Sequence, residues 1–147
     1  LASFPALTEI AMTKTLPLAI TLFAFLASPA LAIDFTESDT GLIEFDMPSG
    51  NICCTYVPDA PEGVKLSCSR VEPKYWIVTL TSDGEMKVYK NPGEVPGCGT
   101  GEAMGNVFEY GTTWKKSGFK CTSTTTGLKC MANGTGFKLS KAGLVKY

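Results

Sequence analysis

The feature that most limits what this chain can fold into is its cysteine layout. Six cysteines all lie between Cys53 and Cys130, behind a stretch that reads as an export signal. Met12-Thr13-Lys14 opens a short basic region, Leu16 to Ala27 is an apolar run of twelve residues, and Ala30-Leu31-Ala32 supplies the small-x-small pattern of signal peptidase sites. Twelve apolar residues fall short of the roughly 20 that a bilayer-spanning helix needs. No cysteine directly follows the small residues, which argues against a lipid anchor. The expected division is an upstream extension over residues 1–11, a signal peptide over 12–32 and one domain over 33–147, exported to the periplasm or the medium. In an oxidising compartment an even cysteine count reads as three disulfides.

The 115 residues from Ile33 to Tyr147 suit one domain. A domain of that size buries roughly 65% of its unfolded surface, so covalent staples add to an adequate but not generous core. The chain contains no histidine. That removes Ser-His-Asp and Cys-His catalysis, histidine-ligated metals and a histidine proton switch. Without a C-x-x-C pair a zinc site has no ligand set, and no metal or cofactor is expected.

Beyond Ile33 the apolar residues alternate instead of recurring at helical spacing. Ile43, Phe45 and Met47 form one set, Trp76, Val78 and Leu80 a second, and Met86 and Val88 a third. Between the last two, Ser82-Asp83-Gly84 predicts a three-residue hairpin with Gly84 left-handed, setting Leu80 against Met86 and Val78 against Val88. Near the C-terminus Asn133-Gly134 predicts a two-residue turn that sets Phe137 against Cys130 and Leu139 against Leu128. With Cys121 joined to Cys130 and Gly127 free to take positive φ, one face carries Phe119, Cys121, Leu128, Cys130, Phe137 and Leu139. The other carries Lys120, Thr122, Lys129, Met131 and Lys138. The expected fold is all-β, an antiparallel meander curling into a small sandwich or open barrel.

A faint internal repeat bears on the remaining cysteines. Ser49-Gly50-Asn51-Ile52-Cys53-Cys54-Thr55, leading to Gly63-Val64-Lys65-Leu66-Ser67-Cys68, parallels Ser117-Gly118-Phe119-Lys120-Cys121-Thr122, leading to Gly127-Leu128-Lys129-Cys130. By that analogy Cys54 pairs with Cys68, which leaves Cys53 for Cys98. This map is one of fifteen possible. Cys53 and Cys54 can serve different partners because adjacent strand residues point to opposite faces.

The Ser49-Gly50-Asn51-Ile52-x-Cys54 stretch, Tyr110-Gly111 with Trp114, and Gly118-Phe119-x-Cys121-Thr122-Ser123 through Gly127-Leu128-x-Cys130 resemble a family of bacterial exported proteins of unknown function. The closing Gly134 to Lys141 segment fits as well, whereas residues 72–96 match poorly. Thr135 stands where relatives often have histidine, and Cys53 is an additional cysteine. The resemblance implies export and a shared fold, and carries no activity.

Charge layout is the sharpest functional signal. From Ile33 to Glu109 there are five basic and thirteen acidic residues, net −8; from Tyr110 onward there are seven lysines and no acid, net +7. The expected register puts Lys129 opposite Lys138, with Lys120 on the same outer face, and like charges directly opposite destabilise a sheet. One reading is a partner surface: lipid headgroups, lipopolysaccharide or an acidic polymer. The other is that the acidic half neutralises the basic one, or that the lysines protect a sheet face and edge. Nucleic acid is disfavoured, since Trp114 and Phe119 are too few for a stacking platform. Glu44, Asp46, Glu102 and Glu109 could supply a hydrolase carboxylate pair, although nothing in their spacing marks one. Asp34, Glu37 and Asp39 lack a calcium-loop pattern. Trp114 and Tyr110 could plug the core or line a pocket, with core the expectation. The leading expectation is a non-enzymatic envelope or secreted domain, partner-binding or structural.

Overall fold

Alternating residues build strands, and strands are all that the described residues of this computed structural model contain in regular structure. The described residues are 2, 3, 5, 29–93 and 105–147. A first set comprises β1 (Leu31–Ile33), β2 (Ile43–Asp46), β3 (Ile52–Ala60), β4 (Gly63–Arg70), β5 (Trp76–Thr81) and β6 (Met86–Lys90). A second comprises β7 (Asn106–Val107), β8 (Thr112–Lys116), β9 (Phe119–Thr124), β10 (Gly127–Ala132), β11 (Thr135–Ser140) and β12 (Gly143–Lys146).

The two sheets of the sandwich run β6-β5-β4-β3-β2-β7 and β12-β11-β10-β9-β8-β1. Each order becomes the other when strand numbers advance by six. The chain is therefore one six-strand unit used twice, with the first strand of each unit donated to the sheet of the other. The registers follow the same rule. Phe45, Cys54, Cys68, Val78 and Val88 form one rung; Trp114, Cys121, Cys130, Phe137 and Lys146 form its counterpart. Ile33 pairs with Trp114, and Asn106 with Phe45.

These exchanged strands correct the expected meander at its edges. β1–β8 and β2–β7 are parallel, while the other pairs are antiparallel. A hairpin delivers an antiparallel neighbour, whereas parallel neighbours need a crossover connection, and β1 and β7 reach their partners from the other unit. The payoff is aromatic. Two residues beyond the paired Ile33 and Asn106 come Phe35 and Phe108, whose rings meet edge-on at 5.3 Å. Phe35 also stacks on Phe45 at 4.7 Å, and Trp114 lies 5.7 Å from both Phe35 and Phe45. Phe45 and Phe108 are fully buried, and burying a phenylalanine side chain contributes about 1.5–3 kcal/mol.

The turn chemistry holds. Leu80 faces Met86 and Val78 faces Val88, with Thr81 N–H donating to the Glu85 carbonyl at 2.9 Å and Gly84 at φ 96°. Asn133 and Gly134, at φ 46° and 78°, close the turn that pairs Cys130 with Phe137 and Leu128 with Leu139. Gly127 has φ 135°, and a Cβ there would sit 2.5 Å from the Leu139 carbonyl oxygen. The six residues expected on the inner face of the last meander are all buried.

Disulfides join Cys54 to Cys68 and Cys121 to Cys130, each with Cα atoms 4.1 Å apart. Cys53 is also disulfide-bonded, and Cys98, its expected partner, lies outside the described residues. The expected upstream extension and signal segment lie mostly outside them too. The expected cleavage point after Ala32 falls within β1.

Candidate functional site

Along β9 to β11 successive side chains point alternately into the core and outward, most clearly in β9. Two short turns then fix which outward residues meet. Ser117 and Gly118, both at positive φ, set Lys115 directly opposite Lys120. Asn133-Gly134 sets Lys129 directly opposite Lys138, as expected. The outer face of this sheet thus carries two cross-strand lysine pairs. Each directly opposed like-charge pair costs roughly 0.2–1 kcal/mol.

Part of that cost is offset locally. The Lys129 ammonium lies 4.4 Å from the centre of the Tyr147 ring, and the Lys138 ammonium donates to the Thr126 hydroxyl at 3.0 Å. The described carboxylates of the acidic half that form ion pairs do so elsewhere. The ion pairs among the described residues are Lys65–Glu62, Lys87–Glu85 and Lys116–Glu37, so Lys115, Lys120, Lys129 and Lys138 have no carboxylate partner there. Lys116 is one residue out of phase with Lys115; the hydrogen bond it donates to the Glu37 carboxylate holds its pKa above the usual lysine value. Interleaved with the lysines are apolar groups: Met131 pairs with Lys120, and Val145 with Lys138. Val145 is 53% exposed and Tyr147 50%.

The structure brings Lys120, Lys129 and Lys138 onto one face and adds Lys115 and Tyr147, which the sequence reading left out. The signal for Lys115 was available: treating Ser117-Gly118 as a two-residue turn forces Lys115 against Lys120. Tyr147 was less legible, because its place depends on the Gly136–Tyr147 backbone pair rather than on any turn motif.

The carboxylates assemble differently. Glu44 and Asp46 sit two residues apart on the outer face of β2, half-buried, and Glu109 is exposed in the β7–β8 turn, where its carbonyl accepts from the Thr112 hydroxyl at 2.6 Å. Glu102 lies outside the described residues. Of the acids near the N-terminus, Glu37 is held by Lys116, and no group of three potential metal ligands occurs among the described residues. Trp114 is core, as expected. Tyr110 is not: it is 39% exposed and lines a cleft at one end of the sandwich. The tight turn there, with Gly111 N–H donating to the Ser123 carbonyl at 2.8 Å, holds the ring clear of the packed sheets.

Among the described residues no helix is long and apolar enough to cross a membrane. Comparison with protein-family models, with curated proteins and with solved structures finds no match to this chain.

Proposed function

We propose that this is an exported, non-enzymatic domain that binds an anionic lipid surface through the outer face of the β8–β12 sheet. The observation that supports it is the pair of directly opposed lysine pairs, Lys115–Lys120 and Lys129–Lys138, which have no carboxylate partner among the described residues. A sheet bears such repulsion at a cost to its own stability, and an anionic partner relieves it. Cationic residues near an anionic membrane gain about 1 kcal/mol each, so four lysines supply about 4 kcal/mol, close to a thousandfold in affinity. Tyr147, Met131 and Val145 suit the boundary between headgroups and chains, where a side chain with an apolar body among charged neighbours is well placed. The disulfides fit an oxidising compartment outside the cytoplasm.

Sedimentation of the oxidised protein with phosphatidylglycerol-containing and with pure phosphatidylcholine vesicles tests this. Binding is expected to the anionic vesicles alone, and to fall steeply between about 0.1 M and 1 M salt, as the screening length drops from about 10 to 3 Å. Changing all four lysines to glutamine should abolish it while leaving the fold intact. Absence of binding at low salt overturns the reading. Binding to soluble polyglutamate or polyphosphate with none to vesicles transfers the face to an acidic polymer.

A further inference from the structure

The duplicated topology makes the two ends of the sandwich counterparts, yet they are built differently. At one end the two-residue turns at 117–118 and 133–134 meet the β5–β6 turn. Asn133 Nδ2 donates to the Asp83 carbonyl at 2.7 Å. The fit at Gly84 is so close that a Cβ would lie 3.2–3.3 Å from Thr135 Oγ1 and the carbonyls of Ala132 and Asn133. That end is sealed. At the other end the corresponding connections are longer, residues 47–51 and 71–75, and a cleft of about 750 Å³ opens between them and the β9–β10 and β11–β12 turns. Small-molecule sites typically span about 300–1,000 Å³.

The cleft is braced rather than loose. The Asn51 side chain clamps the β4–β5 loop, donating to the Glu72 carbonyl at 3.0 Å and accepting from the Glu72 N–H at 2.7 Å. Val71 N–H donates to the Asn51 carbonyl at 3.0 Å. Below it, Arg70 spans the two sheets: Nε and Nη2 reach the Lys74 carbonyl at 3.2 and 3.0 Å, and Nη1 reaches the Ser140 carbonyl at 2.8 Å. Ala132 holds the matching place in the second unit and makes no such brace, so the arginine belongs to the open end alone. Preorganised walls reduce the ordering cost of binding.

We infer that this cleft binds a neutral, hydroxyl-rich ligand, a saccharide of one to three units. Three features carry the chemistry. The formal charges in the lining are one carboxylate, Glu72, and one ammonium, Lys141, so a ligand of either sign would meet its like. Most of the remaining polar lining is hydroxyl: Ser49, Thr124, Thr126 and Ser140 already make hydrogen bonds within the protein, which orient them, and with Thr125 they keep further donor or acceptor capacity for ligand hydroxyls. At the mouth stand Tyr110, 39% exposed, and Val71, 53% exposed, offering an aromatic and an aliphatic surface to the C–H face of a sugar ring. The cleft borders the lysine face at Thr126, whose hydroxyl accepts from Lys138, so the two sites are told apart by variants that avoid this contact, Tyr110→Ala for the cleft and Lys115→Gln with Lys120→Gln for the face.

The test is titration of the ¹⁵N-labelled full chain with cellotriose, maltotriose and chitotriose to about 10 mM, followed by amide chemical shifts. At least one sugar should shift residues of the 47–51 and 71–75 loops and Thr125, leaving the sealed end unmoved. Tyr110→Ala, at an exposed position that leaves the fold intact, should weaken that response at least tenfold. Glu72→Gln and Lys141→Gln should alter it without moving vesicle binding. No shift with any of the three sugars overturns the inference. So do shifts confined to other surfaces, an unchanged response in Tyr110→Ala, or a response to the tripeptide Gly-Ser-Gly with none to the sugars.

Discussion

Phe45 and Trp114 occupy the same rung position in the two units, as do Cys54 and Cys121, yet the units carry unlike connections and unlike surfaces. The first joins β2 to β3 and β4 to β5 through five-residue loops and places Glu44 and Asp46 outward. The second uses two-residue turns at both corresponding places and turns four lysines outward in opposed pairs. Core rungs and disulfides follow the repeat, while loops and outer faces depart from it. The difference separates what the scaffold requires from what was added to it.

The comparison breaks first in the core if it breaks at all. Trp114→Ala and Phe45→Ala should each cost about 3–5 kcal/mol in urea unfolding. Trp114 should cost the more, because each ring meets three others and the larger indole leaves the larger cavity. If either substitution is nearly silent, the aromatic centre is not shared between the units. Next come the staples. The Cys54–Cys68 and Cys121–Cys130 loops have sequence separations of 14 and 9, for which the chain-entropy relation gives about 3.0 and about 2.7 kcal/mol. Paired cysteine-to-alanine variants should therefore lose nearly equal stability, and a twofold inequality would mark one hairpin as the dominant support.

Smaller and opposite in sign is the effect on the lysine face. Lys129→Glu should raise stability by roughly 0.2–1 kcal/mol by turning an opposed like-charge pair into an attractive one, while weakening adhesion to anionic vesicles. A loss of stability would show that the face is not strained. The smallest effect belongs to the sealed end. The Thr81 hydroxyl and then the Glu85 N–H hydrogen-bond the Asp83 carboxylate and hold its pKa below the ordinary value. A depressed carboxyl contributes stability above its unfolded pKa, near 4, and loses it as pH falls through the lower folded value. Asp83→Asn should accordingly narrow the gap between urea midpoints at pH 7 and pH 3, and an unchanged gap would discount the contact.

Much of the fold could be read from the residues because the signals were local. Asp83-Gly84, Asn133-Gly134 and Gly127 fix hairpin registers within a few residues of themselves, and each register then decides which side chains are inside. The faint repeat, Ser49-Gly50 leading to Cys54 and Ser117-Gly118 leading to Cys121, extended this to the Cys54–Cys68 pair. The exchanged strands were not legible. β1 has three residues and β7 two, too short for alternation to register, and their partners are set by packing of Phe35 and Phe108 far along the chain. The lysine face was read in part, since Lys129 and Lys138 follow from one turn. The cleft was missed because it depends on how two loops of one sheet stand against two turns of the other, and Tyr110 carries the same local signature whether buried or exposed.

The strand exchange also governs when this polypeptide can fold. Once only the first unit has emerged, Ile33 lacks Trp114 and Phe45 lacks Asn106, so one edge of the first sheet stays bare and the aromatic centre stays unfilled. Neither unit is a self-sufficient folding module, and closure waits for residues that arrive late. The leading half completes its sheet and its aromatic centre only with β7 and β8 of the trailing half in place.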